Sequence, residues 1–116
     1  MRGLLASFRY ALAGLGAVFL RERNGRIHLA ITGMVVSAGV LLGVARTDWL
    51  WLALAIALVW ITEALNSAIE TLCDTLHPDR AEGIRRTKDI AAGAVLVASL
   101  LAVVIGVLVF WPYLFG

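Results

Sequence analysis

Glu63-Ala64-Leu65-Asn66-Ser67-Ala68-Ile69-Glu70-Thr71-Leu72-Cys73-Asp74 places three carboxylates and an amide one residue after a run of thirteen apolar residues, Trp49 to Ile61. On a helix turning about 100° per residue, Glu63, Asn66, Glu70 and Asp74 fall within an arc of roughly 80°. One narrow face therefore carries the polar groups, and the rest of the helix is free to meet lipid or protein. Ionisable side chains in such a segment are costly to keep and mark function.

The surrounding chain makes that segment part of a membrane protein. Of 116 residues, 61% are hydrophobic, and the mean hydropathy is +0.91. Leu29 to Val44 carries no charge and reaches span length with its flanks, and Ile90 to Phe115 is uncharged throughout. A bilayer core about 30 Å thick needs about twenty such residues in a helix. The expected fold is all-α and integral to the membrane, a single domain with transmembrane helices at 28–46, 49–76 and 89–115. Phe110, Trp111 and Tyr113 form an aromatic belt at the water boundary.

Residues 1–22 differ from the spans. Leu4, Leu5, Phe8, Leu12, Leu15 and Phe19 recur at helical spacing while Arg2, Arg9 and Arg21 interrupt the apolar run, so an amphipathic helix lying in the interface is expected. Arg2, Arg9, Arg21, Arg23 and Arg26 precede the first span, and Arg80, Arg85, Arg86 and Lys88 lie between the second and third. The positive-inside rule puts both segments in the cytoplasm, with the N-terminus inside and the C-terminus outside a bacterial inner membrane. Loops are expected at 21–26, 46–48 and 77–87. Three helices make a thin core, and Gly39 and Gly43 at GxxxG spacing, with Ala91, Ala92, Gly93, Ala94 and Ala98, offer close-packing surfaces. A homo-oligomer is expected, with no nucleic-acid partner.

Hard oxygen ligands without a cysteine or histidine cluster favour Mg²⁺, which takes one or two protein carboxylates and completes its shell with water and substrate phosphates. Glu70 is the leading candidate ligand, and Glu22, at the same cytoplasmic boundary, is the second. Glu63 lies about 10 Å deeper than Glu70, where a lipid headgroup hydroxyl is the group to be met, and suits a general base. Lys88 and Asp89, taken to open the third helix, suit a phosphate site built on helix N–H groups and an ammonium. Cys73 and the isolated His28 and His77 are assigned no chemistry. Neither a P-loop nor a dinucleotide fingerprint is present, so any phosphoryl transfer must rest on positioning and electrostatics at the membrane surface.

The stretch from Glu63 to Asp74 resembles the signature of the small prokaryotic diacylglycerol kinase family: Glu, two residues, Asn, Ser or Thr, a small residue, an aliphatic, Glu, two residues, an aliphatic, then Asp. Here Cys73 stands next to that last Asp, where valine is common. The likeness extends to Glu22-Arg23-Asn24-Gly25-Arg26-Ile27-His28, to Lys88-Asp89-Ile90-Ala91-Ala92-Gly93-Ala94-Val95-Leu96, and to Tyr10 before Gly14. The resemblance implies a homotrimeric MgATP-dependent lipid kinase with active sites shared between neighbouring subunits at the cytoplasmic face. It implies Glu63 as the base, Glu22 and Glu70 as Mg²⁺ ligands, and Asn66 and Lys88 at the transferring phosphoryl group. Asp74 and Asp89 would organise the nucleotide side, Tyr10 would lie near ATP, and Asp79, Arg80 and Ala81 would form a loop approaching it. The Arg-Asn-Gly-Arg-Ile-His and Lys-Asp-Ile-Ala-Ala-Gly-Ala-Val-Leu segments look more like the undecaprenol kinases of Gram-positive bacteria, with diacylglycerol kinase as the close alternative. A reading from another class is a small oligomeric transporter or channel subunit that uses the membrane carboxylates. Against it, the charges gather at one membrane face and no polar path continues through the other spans.

Overall fold

The computed structural model describes residues 2–79 and 81–116, and these are helical almost throughout. Helix α1 (Arg2–Gly16) runs into a π-helical turn, Ala17–Arg21, and the path then breaks at Glu22. Helix α2 (Arg23–Leu42), helix α3 (Arg46–Leu76) and helix α4 (Glu82–Phe115) follow. Among the described residues four helical segments are long and apolar enough to cross a membrane. One is Gly3–Arg21, expected in the interface, because its length and composition alone also suit a span.

The expected loops are shorter than the charge pattern suggests. Only Glu22 leaves helical geometry between the π turn and α2, where a loop over 21–26 was expected. Its φ of −85° and ψ of 143° turn the chain, and its carbonyl accepts the Arg26 N–H at 2.9 Å to start α2. The turn is tight enough that a Cβ on Gly25 would sit 1.9 Å from the Val18 carbonyl oxygen. Residue 25 must therefore be glycine, since the clash is with backbone that cannot rotate away.

Likewise α3 begins at Arg46 and α4 at Glu82, inside the stretches read as loops at 46–48 and 77–87. Asp48 accepts the Ala45 N–H at the start of α3 and Glu82 stands in the first turn of α4, so the helices extend past their apolar parts, where outside the hydrocarbon a helix can be polar on every side. Lys88 and Asp89 consequently do not open a helix: Lys88 stands nearly two turns inside α4. Its backbone N–H belongs to the helical ladder, so the expected phosphate site on orphan N–H groups is not formed there.

The turn between α2 and α3 accounts for the GxxxG pair. Gly43 ends α2 with φ +62°, its N–H donating to the Val40 carbonyl while the Val44 N–H donates to the Gly39 carbonyl, both at 3.2 Å. This is a Schellman ending that needs a left-handed residue. Gly39 lies under the indole of Trp49, where a Cβ would meet the ring at 2.5 Å. Both glycines are thus used within the chain, in its own α2–α3 hairpin.

The main packed layer joins α3 to α4. Ala91, Ala98 and Ile105 are buried on α4 at seven-residue intervals, with Val109 one turn further. A seven-residue period is two helical turns, so these side chains share one stripe. Val44, Leu52, Ala55, Ile105 and Val109 form the core, flanked by Trp49 and Phe110. At the far end of α4 the Tyr113 hydroxyl donates to Asp48 at 2.5 Å and accepts the Ala45 N–H at 2.9 Å. Asp48 also accepts that N–H at 3.2 Å, so the start of α3 and the end of α4 are tied together. Many large side chains of α2 and α4, among them Leu41, Leu96, Val97, Leu100, Val103 and Leu108, remain exposed. That surface suits lipid or further copies of the chain.

Candidate functional site

The break at Glu22 is what brings the first carboxylate into play. Because this residue is extended, its side chain leaves the axis of α2 and reaches α3, where Ser67 Oγ lies 2.8 Å from Oε1 and 2.7 Å from Oε2. Ser67 is buried, and its hydroxyl donates into the carboxylate. Directly before Ser67 on α3, Asn66 Nδ2 donates to Glu70 Oε1, one turn on, at 3.3 Å. That bond fixes the amide's orientation and leaves Asn66 Oδ1 buried with no hydrogen-bond partner among the described residues.

Glu63 is the most enclosed of the group, 2% exposed. His28 Nε2 stands 3.6 Å from its Oε2. Glu22 and Glu70 lie close enough that their charges bear on it. The contact with His28 follows from the register of two antiparallel helices. Four residues beyond His28, Thr32 Oγ1 accepts the Trp60 indole N–H at 2.9 Å, and Trp60 is three residues before Glu63. The two pairs are rungs one helical turn apart. Phe19, from the π turn, stacks on Trp60 with ring centroids 4.2 Å apart and backs the same rung.

Further along α3 the groups are more exposed. Lys88 Nζ on α4 pairs with Asp74 Oδ1 at 2.5 Å. That contact holds the Lys88 ammonium beside Asp74, one turn from Glu70. Asp74, His77, Asp79, Ala81, Arg85 and Lys88 line one recess of about 440 Å³ where α3 passes into α4. The His77 ring lies 3.2 Å from the Asp79 carbonyl oxygen and shapes the rim.

The candidate residues therefore form an inner cluster of Glu22, Glu63, Asn66 and Glu70 and an outer recess holding Asp74, Asp79, Ala81 and Lys88. Asp89 is exposed on α4 outside that recess. Tyr10 is 70% exposed on α1 and makes no hydrogen bond to either group among the described residues. Arg80 lies outside the described residues. Sequence reasoning missed two members. Ser67 sits four residues after Glu63 and three before Glu70, so helix spacing could have found it. His28 was assigned no chemistry, and no local spacing could reveal a contact made across two helices.

The inner cluster fits a hard cation. Its donors are all oxygen: the carboxylates of Glu22 and Glu70, with the orphaned Asn66 Oδ1 beside them. Among the described residues no three His, Cys, Asp or Glu side chains gather as a metal site by themselves. Two carboxylates completed by substrate oxygens is the pattern Mg²⁺ uses with phosphates. Beside the cluster an apolar groove of about 610 Å³ runs between α2, α3 and α4, with His28, Thr32 and Ser99 as its few polar lining residues.

Residues 9–110 match the family model described as prokaryotic diacylglycerol kinase. A diacylglycerol kinase of Synechocystis sp. is 43% identical over 104 residues, covering 89% of this chain and 59% of that protein. An undecaprenol kinase of Bacillus subtilis is 33% identical over 108 residues, covering 93% and 88%. A diacylglycerol kinase of Escherichia coli K12 is 31% identical over 104 residues, covering 90% and 85%. Identity is higher to the Synechocystis diacylglycerol kinase than to the Bacillus undecaprenol kinase, so overall likeness does not favour the undecaprenol branch.

Proposed function

The chain belongs to the prokaryotic diacylglycerol kinase family, and from that premise we propose that it is a membrane lipid kinase, transferring the γ-phosphoryl group of ATP to the hydroxyl of undecaprenol or diacylglycerol. The observation that carries this reading is the convergence of Glu22, Glu63, Asn66 and Glu70 on α3, with the buried Glu63 against His28, which lines an apolar groove. A base for a water-soluble substrate has no reason to sit there. A lipid alcohol can lay its chain in the groove and present its hydroxyl to Glu63.

The reaction assigned to these groups is a single displacement. The lipid oxygen forms a bond to the γ-phosphorus as the bond from that phosphorus to the β–γ bridging oxygen breaks, and ADP leaves. The hydroxyl proton passes to Glu63, which serves as general base. Glu22 and Glu70 would hold Mg²⁺, with Ser67 and Asn66 fixing their carboxylates in place. When bound, the cation neutralises charge on the phosphates. The Lys88 ammonium, beside Asp74, faces the phosphate side from the outer recess. Asp79, Arg80 and Ala81, with Asp89 and Tyr10, make up the nucleotide side in this reading.

The same reading carries three spans formed by α2, α3 and α4, an interfacial α1, a cytoplasmic N-terminus and an external C-terminus. It also carries a homotrimer, whose subunit contacts would cover the apolar faces of α2 and α4. Transfer of labelled γ-phosphate from MgATP to undecaprenol and to diacylglycerol by the purified, detergent-solubilised protein tests it, with Glu63→Gln as the blank. Preference for one lipid identifies the branch, and equal use of both means a permissive kinase. No transfer to either would refute the reading.

A further inference from the structure

We propose that His28 is a positioning residue for the base: its imidazole holds the Glu63 carboxylate turned toward the lipid hydroxyl. This goes beyond the family's carboxylates and rests on the lipid-kinase reading of the site.

Among the described residues His28 is the one basic side chain within ion-pair distance of Glu63, 3.6 Å from Nε2 to Oε2. The His28 side chain is 18% exposed and that of Glu63 3%. Little water is left to orient the carboxylate, and Glu22 and Glu70 bear on it as like charges. The His28 imidazole, 3.6 Å away and just beyond hydrogen-bond reach, is the polar group that can close on the carboxylate, and a base held by a third group is a recurrent arrangement in proton transfer.

The placement of His28 is itself held. Its backbone carbonyl accepts the Thr32 hydroxyl at 2.8 Å, and Thr32 Oγ1 in turn accepts the Trp60 indole N–H. That rung sets the depth of α2 against α3 one turn from Glu63. His28 also lines the apolar groove. It therefore stands where a lipid hydroxyl and its chain must diverge, the hydroxyl toward Glu63 and the chain along α4.

A double-mutant cycle of phosphoryl transfer to the preferred lipid tests the assignment. His28→Leu in the wild-type background should lower kcat about tenfold or more, a part of the full effect of a general base. The KM for MgATP should stay within about twofold, on the same scale. His28→Gln, which keeps an N–H near the position of Nε2, should recover most of the loss. In a Glu63→Gln background His28→Leu should change little further, because residues that act as one unit are not additive. Thermal unfolding of each variant reports its folding. Equal losses in both backgrounds, no recovery by His28→Gln, or a rise in the MgATP KM in place of a fall in kcat would each overturn the positioning role. If the wild-type chain transfers phosphate to neither lipid, the kinase reading falls and this one with it; losses of the wrong pattern in an active enzyme refute His28 alone.

Discussion

Ser67→Ala isolates how much of the metal site depends on a hydroxyl that touches neither metal nor substrate in the proposed mechanism. Ser67 Oγ lies 2.8 and 2.7 Å from the two oxygens of Glu22, but a hydroxyl has one proton. The pair is therefore worth one charge-assisted hydrogen bond, for which about 1.5–3 kcal/mol is usual. Glu22 is only half-buried, so water can partly replace the lost donor, and the lower end of that range applies. About 1.4 kcal/mol is a factor of ten in an equilibrium constant. Ser67→Ala should thus weaken MgATP binding about tenfold while leaving the KM for lipid nearly unchanged. Equilibrium binding of MgATP to the solubilised protein measures it, alongside Glu22→Gln and the double variant. If Ser67 acts through Glu22, the double variant should bind no more weakly than Glu22→Gln. Wild-type affinity in Ser67→Ala, with weak binding in Glu22→Gln, would show that the hydroxyl is not what readies the carboxylate.

Three other outcomes are expected. Glu63→Gln should lower turnover by at least about a hundredfold, the scale of general base catalysis, with MgATP binding retained; near-normal turnover in the transfer assay would remove Glu63 from that role. Glu70→Gln should instead weaken Mg²⁺-dependent nucleotide binding, and equal MgATP affinity in a titration would count against it as a ligand. Gly25→Ala should destabilise the fold by about 1–3 kcal/mol, because its Cβ meets the Val18 backbone oxygen and the chain must shift; an unchanged denaturation midpoint would show that the turn at Glu22 can open freely.

The apolar runs and the carboxylate face were legible because each depends on spacing within one helix. Glu63, Asn66, Glu70 and Asp74 are on one helix, and the face they share follows from 3.6 residues per turn alone. Charge misled at the ends of the helices. Arg46 and Glu82 look like loop residues beside apolar spans, yet outside the hydrocarbon a charged turn of helix is as acceptable as a loop. The helices therefore run on, and Lys88 lands inside α4 where an opening residue was expected. Gly39 and Gly43 were read as packing surfaces, but whether a small residue meets Trp49 of its own chain or a neighbour is a matter of tertiary geometry. A loop was expected over 21–26, but nothing in Arg-Glu-Arg says that Glu22 alone would carry the break.

Those hidden features are also the ones that turn a row of carboxylates into a site. Alone, α3 would present Glu63 and Glu70 with nothing opposite them. The break at Glu22 adds a carboxylate, and the Thr32–Trp60 rung sets which turn of α2 faces which turn of α3. Interhelical hydrogen bonds in membranes contribute about 0.6 kcal/mol on average, so one rung adds little stability. Its effect is on register. Sliding α2 by a single turn, about 5.4 Å, would break the Thr32–Trp60 bond and carry His28 past Glu63 together. Helix alignment and base orientation thus depend on the same displacement, which is why a polar pair is well placed one turn from the buried glutamate.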